Sequence, residues 1–368
     1  LDECVDTEWV SSVGSYVDKF EEEIANYTGS KFSVACTSGT SALHLALKSI
    51  GVKSNDEVIV PTMTFIATPN SVMYNQAYPI FMDCDRYLNI DSEKLEEFLT
   101  KKTYFQDGNT FNKDTGRRIF AIIPVHVSGN AVKFQSIETL CLERNIKIVE
   151  DAAEAMGTRY LIDKYNKKHA GSIGHVGCLS FNGNKIMTSG GGGMIITNDK
   201  EIADRARYLS TQANDDGLRY LHNDIGFNYR LTNIQAALGL AQLEQLDKFV
   251  EKKKYINTFY KENLNNVNYL SILNAPEYAS NNHWMSSIYL EEINDKINVE
   301  KLFDHLGKNS IQVRPMWHLC HLQKPYQRSE SYFIEKAIKM QKCIINIPCS
   351  TNITEAELEK VCKCLKDF

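Results

Sequence analysis

The stretch Ser180–Thr197 reads SFNGNKIMTSGGGGMIIT, with Lys185 set between an apolar segment and four consecutive glycines. Glycine backbone lets another group approach closely. A lysine in such a pocket can hold a neutral amine, the form that attacks an aldehyde; a solvated surface lysine is the bland alternative. In ACTSGTSALHLALKSIG a strand ends, Ser38-Gly39-Thr40-Ser41 turns, and a helix begins. The free N–H groups and the dipole of a helix start favour an anion there, and hydroxyls add donors. The same residues would also serve as a plain helix cap. In IKIVEDAAEAMG a buried strand runs into Glu150-Asp151. Carboxylates at strand ends sit where α/β folds bind ligands, and a buried acid is costly without a cation or donors; capping the next helix is the alternative. An anion nest, a strand-end carboxylate and a lysine together are what pyridoxal 5′-phosphate needs. The nest seats its phosphate, the acid keeps the ring nitrogen protonated, and the amine forms a Schiff base with its aldehyde.

These residues need a scaffold, and the chain supplies the signals of one. Short runs rich in Val, Ile and Phe predict buried strands at Phe32–Cys36, Val58–Met63, Ile80–Asp83, Ile119–His126, Ile146–Asp151, Cys178–Phe181 and Gly193–Thr197. Helical patterns lie between many of them. Leu43, Ala46, Leu47 and Ile50 share one helix face, and Gly51 is a natural stop. Strand alternating with helix predicts a largely parallel α/β sheet. The longest helical pattern starts near Thr232 and predicts the link from a large domain, residues 14–245, to a C-terminal one, residues 246–368. Residues 1–13 are expected to pack on the latter. The last third carries short strand-like pieces (SSIYL, IQVRP, CIINIP) and two helical stretches, which predicts a small α+β domain. The polar segment Lys101–Arg118 reads as a surface excursion.

Bulk properties exclude several classes. At 368 residues, with 43% hydrophobic and 24% charged residues, the chain is ordinary for a globular protein. Lys+Arg number 41 against 46 Asp+Glu, without basic blocks, which argues against nucleic acid as partner. No apolar run spans a bilayer and no signal-peptide pattern opens the chain, so no membrane partner and a cytoplasmic location are expected. The first residue is Leu1 rather than Met, so a preceding segment is expected. The ten cysteines include no C-x-x-C pair and read as reduced thiols, with no metal site.

The chain resembles the sugar aminotransferases of the DegT/DnrJ/EryC1/StrS family, within the fold-type I, aspartate aminotransferase-like pyridoxal-phosphate enzymes. The likeness is carried from WVSSVGSYVDKFEEEIANYTG to GFNYRLTNIQAALGLAQLEQL, most of the large domain. SFNGNKIMTSGGGGMI, VEDAAEAMG and LSTQAN…HNDIGFNYRLTN are most similar to the branch that aminates C4 of nucleotide-linked 4-keto-6-deoxy-N-acetylhexosamines, as in legionaminic acid and bacillosamine-type pathways. The resemblance implies a large, mostly parallel sheet domain plus a small α+β domain, pyridoxal 5′-phosphate as cofactor, and L-glutamate as amino donor. It makes Lys185 the covalent anchor and proton shuttle, and Asp151 the partner of the ring nitrogen. It places Phe65 on the ring face, and Gly39, Thr40, Ser41 and Ser180 on the phosphate. Asn228 would reach that phosphate from the partner subunit, which makes the active site a property of a homodimer, with Arg230 close by. Glu154 stands where many relatives carry Gln or His, facing the ring oxygen; a glutamate there would be protonated or bridged by water. Trp317 and His318 are candidates for the sugar nucleotide, the alternative being a buried aromatic and a satisfied histidine. His126 would line the mouth of the site.

Three other readings compete. One is a pyridoxal-phosphate dehydratase or isomerase acting on similar sugars, but sugar dehydratases of this family replace the lysine by histidine, and Lys185 is present. A cofactor-binding regulatory protein without turnover would not need the intact lysine, aspartate and serine. A nicotinamide dehydrogenase would carry G-x-G-x-x-G after a strand, which is missing. Neither the nucleotide, UDP or GDP, nor the configuration of the product amine is written in any motif.

Overall fold

The computed structural model describes residues 1–368. Seven strands form the body of the ten-stranded large sheet: β1 (Phe32–Cys36), β2 (Glu57–Pro61), β3 (Tyr78–Met82), β4 (Arg118–Ile122), β5 (Lys147–Asp151), β6 (Val176–Ser180) and β7 (Gly193–Thr197). Their spatial order is β1-β7-β6-β5-β4-β2-β3. β6, β5, β4, β2 and β3 run parallel, and β7 lies antiparallel between β6 and β1. The strands are apolar and covered on both faces, as parallel sheets require. The expected strands and these agree to within a few residues, and Phe32–Cys36 and Gly193–Thr197 coincide. Since β1 runs in the same direction as the parallel set, the segments following β1, β2, β5 and β6 all leave the sheet at one edge.

Helices flank the sheet. α1 (Ser15–Thr28) buries Val17, Phe20 and Ile24, and ends at Gly29 in the left-handed region. α2 (Gly39–Ser49) starts on Ser38, whose Oγ accepts from Ser41 N–H while Ser41 Oγ accepts from Ser38 N–H. The long helix expected from Thr232 is two: α3 (Asn233–Leu243) and α4 (Leu246–Leu264). Thr232 caps α3 in a capping box with Gln235. The break separates two burial tasks. α3 lies on α1, where a Cβ on Gly239 would sit 2.6 Å from Phe20. Most of α4 lies on the C-terminal sheet, where Ile256 and Tyr260 enter its core.

That second sheet contains β8 (Leu270–Ile272), β9 (Ser286–Leu290), β10 (Arg314–Pro315) and β11 (Ile344–Ile347), in the antiparallel order β8-β9-β11-β10. With α4, α5 (Val299–Lys308) and α6 (Glu355–Lys366) it encloses Ile288, Leu302, Ile345 and Leu358. The two parts interlock. Ser331–Tyr332 adds a parallel edge to β3, and Cys320 and Tyr326 share a core with Val60 and Phe81. No helix is long and apolar enough to cross a membrane.

Two expectations are corrected. Residues 1–13 pack on the large part, not the C-terminal one: Asn233 Nδ2 donates to Trp9 O at 2.7 Å, and Asn233 N–H to Ser11 O at 2.7 Å. Asn233 therefore anchors the segment to the start of α3. The segment Lys101–Arg118 contains a hairpin, Thr103–Gln106 with Asn109–Asn112, turning on Asp107 and Gly108, both at positive φ. Its second arm extends the sheet beside β4. Aspartate followed by glycine is the favoured chemistry of such a two-residue turn, but the polar arms obscured it.

The sheet admits no Cβ at Gly177 on β6, where one would lie 1.9 Å from Gly171 O. Gly177→Ala should lower stability by about 1–3 kcal/mol through overpacking. Chemical denaturation measures this, and an unchanged midpoint would mean that the 171–174 loop yields.

Candidate active site

Strand ends and loops at the shared edge enclose a cavity of about 510 Å³, completed by residues of the C-terminal sheet. Ser38, Gly39 and Thr40 line it from the start of α2, where backbone N–H groups lack helical partners. Ser180, at the end of β6, stands beside them; a Cβ on Gly39 would approach Ser180 Cβ to 2.8 Å. Glycine is thus required where the nest meets β6. Ser41 is a correction: it is buried inside the capping box, its Oγ donating to Ser38 O at 2.8 Å, and it does not reach the cavity. Ser38 occupies the wall in its place.

Asp151 ends β5 and is 4% exposed. Its Oδ2 accepts from Thr68 Oγ1 at 2.7 Å and its Oδ1 from Ala153 N–H at 3.1 Å. Burial pushes its carboxyl up; the Thr68 and Ala153 hydrogen bonds and nearby Lys185 oppose that push. Lys185 lies in the loop between β6 and β7. Phe181 N–H donates to Gly192 O at 2.9 Å and Ser189 N–H to Phe181 O at 3.0 Å, which closes the base of that loop. Lys185 Nζ lies 3.2 Å from Glu154 Oε1. Glu154 Oε2 accepts from Ser128 N–H at 2.8 Å, and burial raises its carboxyl, with Lys185 opposing. Nζ also stands 4.3 Å from the centroid of the Trp284 indole. Phe65, 55% exposed, lies at the rim with its ring centroid 6.3 Å from that of Trp317.

Four glycines follow Lys185, and they differ in use. Gly191 and Gly192 line the cavity, and Gly192 sits at φ +123. A Cβ on Gly193 would meet Ser38 O at 2.4 Å, so this glycine lets β7 pass under the start of α2. Gly190 faces open space at φ +78.

Of the other expected residues, Trp317 lines the cavity and His318 does not; His318 is exposed. His126 is a second correction. It is fully buried, not at the mouth. Val132 N–H donates to its Nδ1 at 3.2 Å, so Nε2–H donates to Glu150 Oε2 at 3.0 Å. Glu150 also accepts from the backbone of Gly171, Ile173 and Gly174, which locks the loop beneath β5. Asn228 is exposed and outside its own chain's cavity. Thr68, Ser128, Trp284, Arg314 and Asn346 were not expected. Thr68 had a local signal, three residues beyond Phe65 in TFIATP; Trp284 and Asn346 had none.

The cavity fits pyridoxal phosphate on its own terms: helix-start N–H groups with hydroxyls for an anion, and a buried carboxylate with two donors and no adjacent cation of its own strand. The family model described as the DegT/DnrJ/EryC1/StrS aminotransferase family matches residues 1–366, and the chain belongs to that family. It is a pyridoxal-phosphate-dependent sugar aminotransferase of nucleotide-sugar biosynthesis. The chain is 38% identical over 365 residues to the GDP-perosamine synthase of Caulobacter vibrioides, covering 98% of this chain and 91% of that one. It is 30% identical over 362 residues to the UDP-4-amino-4,6-dideoxy-N-acetyl-beta-L-altrosamine transaminase of Campylobacter jejuni, covering 94% and 88%. The crystal structure of a DegT DnrJ EryC1 StrS aminotransferase from Brucella abortus superposes with a TM-score of 0.89 at 27% identity, covering 100% of this chain and 93% of that one.

Burial of Asp151 without an ion-pair contact predicts a measurable cost to the cofactor-free protein. A raised folded-state carboxyl means that the unfolded chain loses this proton first. Stability is therefore lost as pH rises above the unfolded value of about 3.9 and through the raised folded one. Asp151→Asn removes this dependence. The cofactor-free variant should unfold at a higher temperature than the wild type at neutral pH, with the gap closing as pH falls towards about 4. Scanning calorimetry follows the gap, and a gap independent of pH would show that the Asp151 carboxyl binds its proton equally well in the folded and unfolded chain.

Proposed function

We propose that this chain transfers the amino group of L-glutamate to C4 of a nucleotide-linked 4-keto-6-deoxy-N-acetylhexosamine, in bacterial surface-glycan biosynthesis. The observation that carries the reading is the convergence, in one cavity, of the Lys185 amine, the buried Asp151 carboxylate and the start of α2. Bound pyridoxal phosphate supplies the carbon that carries the amino group between donor and sugar, and a ring that accepts an electron pair.

Gly39, Thr40, Ser180 and Ser38 hold its phosphate. Asp151 holds the proton on the ring nitrogen, and Thr68 and Ala153 N–H keep that carboxylate aimed. Phe65 covers one face of the ring. Lys185 anchors the cofactor. When freed, its Nζ takes the α-proton of bound glutamate, and in the second half-reaction it delivers a proton to C4 of the sugar. Glu154, with its carboxyl raised by burial, stands beside that amine as a hydrogen-bonding group for the ring oxygen. Trp317, at the rim beside Phe65, faces the sugar nucleotide.

The working unit is a homodimer in which the partner subunit's Asn228 reaches the phosphate. Leu218, Tyr220 and Ile225, which precede Asn228, are 92%, 78% and 79% exposed, a cost that a partner surface would relieve. Ten buried, unpaired thiols agree with a cytoplasmic location. The name of the Caulobacter relative favours a GDP-linked sugar, and that of the Campylobacter relative a UDP-linked N-acetyl sugar.

Incubation with glutamate and a panel of UDP- and GDP-linked 4-keto-6-deoxy sugars, with and without the acetamido group, tests the reading by mass spectrometry. An amino sugar should form from one member; a dehydrated product without nitrogen would overturn it. Lys185→Ala should lower turnover by at least about 10²–10⁴-fold, the share of one positioned proton carrier. In the wild type, borohydride reduction and digestion should leave a pyridoxyl group on the Lys185 peptide, and its absence would end the assignment.

A further inference from the structure

Lys185 Nζ lies 4.3 Å from the centroid of the Trp284 indole, within reach of a cation–π contact. Trp284 is 5% exposed and belongs to the C-terminal part of the chain. Its indole Nε1–H donates to Asn184 O at 2.7 Å, the carbonyl just before Lys185. The ring and the lysine loop are therefore tied at two points, one on the backbone and one on the amine.

The backbone of Trp284 is itself held. Its N–H donates to Asn282 Oδ1 at 2.9 Å, and its carbonyl accepts from Lys253 Nζ at 2.9 Å. Lys253 is a buried lysine on α4 that ion pairs with no acid. Asn282 Nδ2 donates to Glu154 O at 2.8 Å and to Met156 O at 2.9 Å. Gly129 has no side chain at the point where Asn282 enters; a Cβ there would lie 2.0 Å from Asn282 Oδ1. The segment 282–284 thus grips the Glu154 loop with one residue and the Lys185 loop with another.

We propose that Trp284 is a positioning residue for Lys185: its ring face is the platform that retains the amine beside Glu154 whenever it is not bound to the cofactor. The proposal rests on the reading of Lys185 as the cofactor lysine. It gives the C-terminal part a role in chemistry beyond covering the cavity. An ammonium on a four-carbon stem has many rotamers, and a ring face with a fixed tether narrows them to those that keep Nζ in reach of the reacting carbon.

The test separates the ring's electrostatics from its shape. The chain has three tryptophans. Replacing them biosynthetically by a difluorinated tryptophan weakens the negative ring face and leaves the size almost unchanged. Cofactor-free protein is then acetylated with limiting acetic anhydride, and the Lys185 peptide is quantified against that of the exposed Lys200. Weakening the platform destabilises the retained ammonium, so Lys185 should be labelled faster, by about twofold or more, with Lys200 unchanged. Trp284→Leu should raise labelling further, between about two- and thirty-fold, the range a cation–π contact supports, and should lower kcat while leaving the KM for glutamate within about twofold. In a Trp284→Phe background, fluorination of the remaining tryptophans should leave Lys185 unaffected. Equal labelling of Lys185 in fluorinated and ordinary protein would overturn the proposal even if Trp284→Leu fails to fold. A missing borohydride adduct on Lys185 would instead remove the reading beneath it.

Discussion

Two acids and one lysine meet in the wall of one cavity, each largely buried: Asp151, Glu154 and Lys185. With all three ionised the set carries one negative charge too many, and burial makes each uncompensated charge expensive. Beyond the one pairing of Lys185 with Glu154, the structure answers with donors rather than a second cation, from Thr68 and Ala153 to Asp151 and from Ser128 to Glu154. Both carboxyls remain raised. A protonated ring nitrogen would supply the missing positive charge, so the site is built to be completed by its cofactor.

Holding such a set together needs rigid supports on every side. The parallel strands bring Asp151 and Ser180 to one edge, and the antiparallel β7 returns the chain so that the Lys185 loop faces them. Gly193 and Gly39 allow the start of α2, β6 and β7 to approach more closely than any side chain would permit. Beneath the site, His126 and Glu150 form a buried pair that receives three further backbone donors from residues 171–174. This pair keeps the end of β5 in register without touching the cavity. The C-terminal part is not a separate lid. Its chain re-enters the large sheet at Ser331–Tyr332, and Cys320 and Tyr326 join that sheet's core. Arg314 and Asn346 are thereby fixed as a wall of the cavity.

Where local pattern and burial agree, reading the chain succeeds. The seven sheet strands are legible because strands covered on both faces must be apolar and β-branched, whatever lies next to them. The hairpin at residues 103–112 is misread because only its second arm meets the sheet, so its hydrophobic signal is weak. The break at residues 244–245 is invisible because helix propensity continues through it, and only the divergence of two packing surfaces decides it. Among site residues, Lys185, Asp151, Gly39, Thr40 and Ser180 carry their meaning in the neighbours they have along the chain. Ser41 and His126 do not, because whether a polar side chain turns to a cavity or to its own backbone depends on which partner is nearer in space.

From residue order alone come the strands, the lysine flanked by glycine, the acid at a strand end and the hydroxyl-rich start of a helix. All are local, because each rests on a residue and its immediate neighbours. Only the folded chain decides that Trp284 lies under Lys185, that Thr68 bonds Asp151 and that Ser128 bonds Glu154. Those contacts join residues 99, 83 and 26 positions apart in the chain. Their distances are set by how two sheets and the helices between them pack, and no short pattern records that.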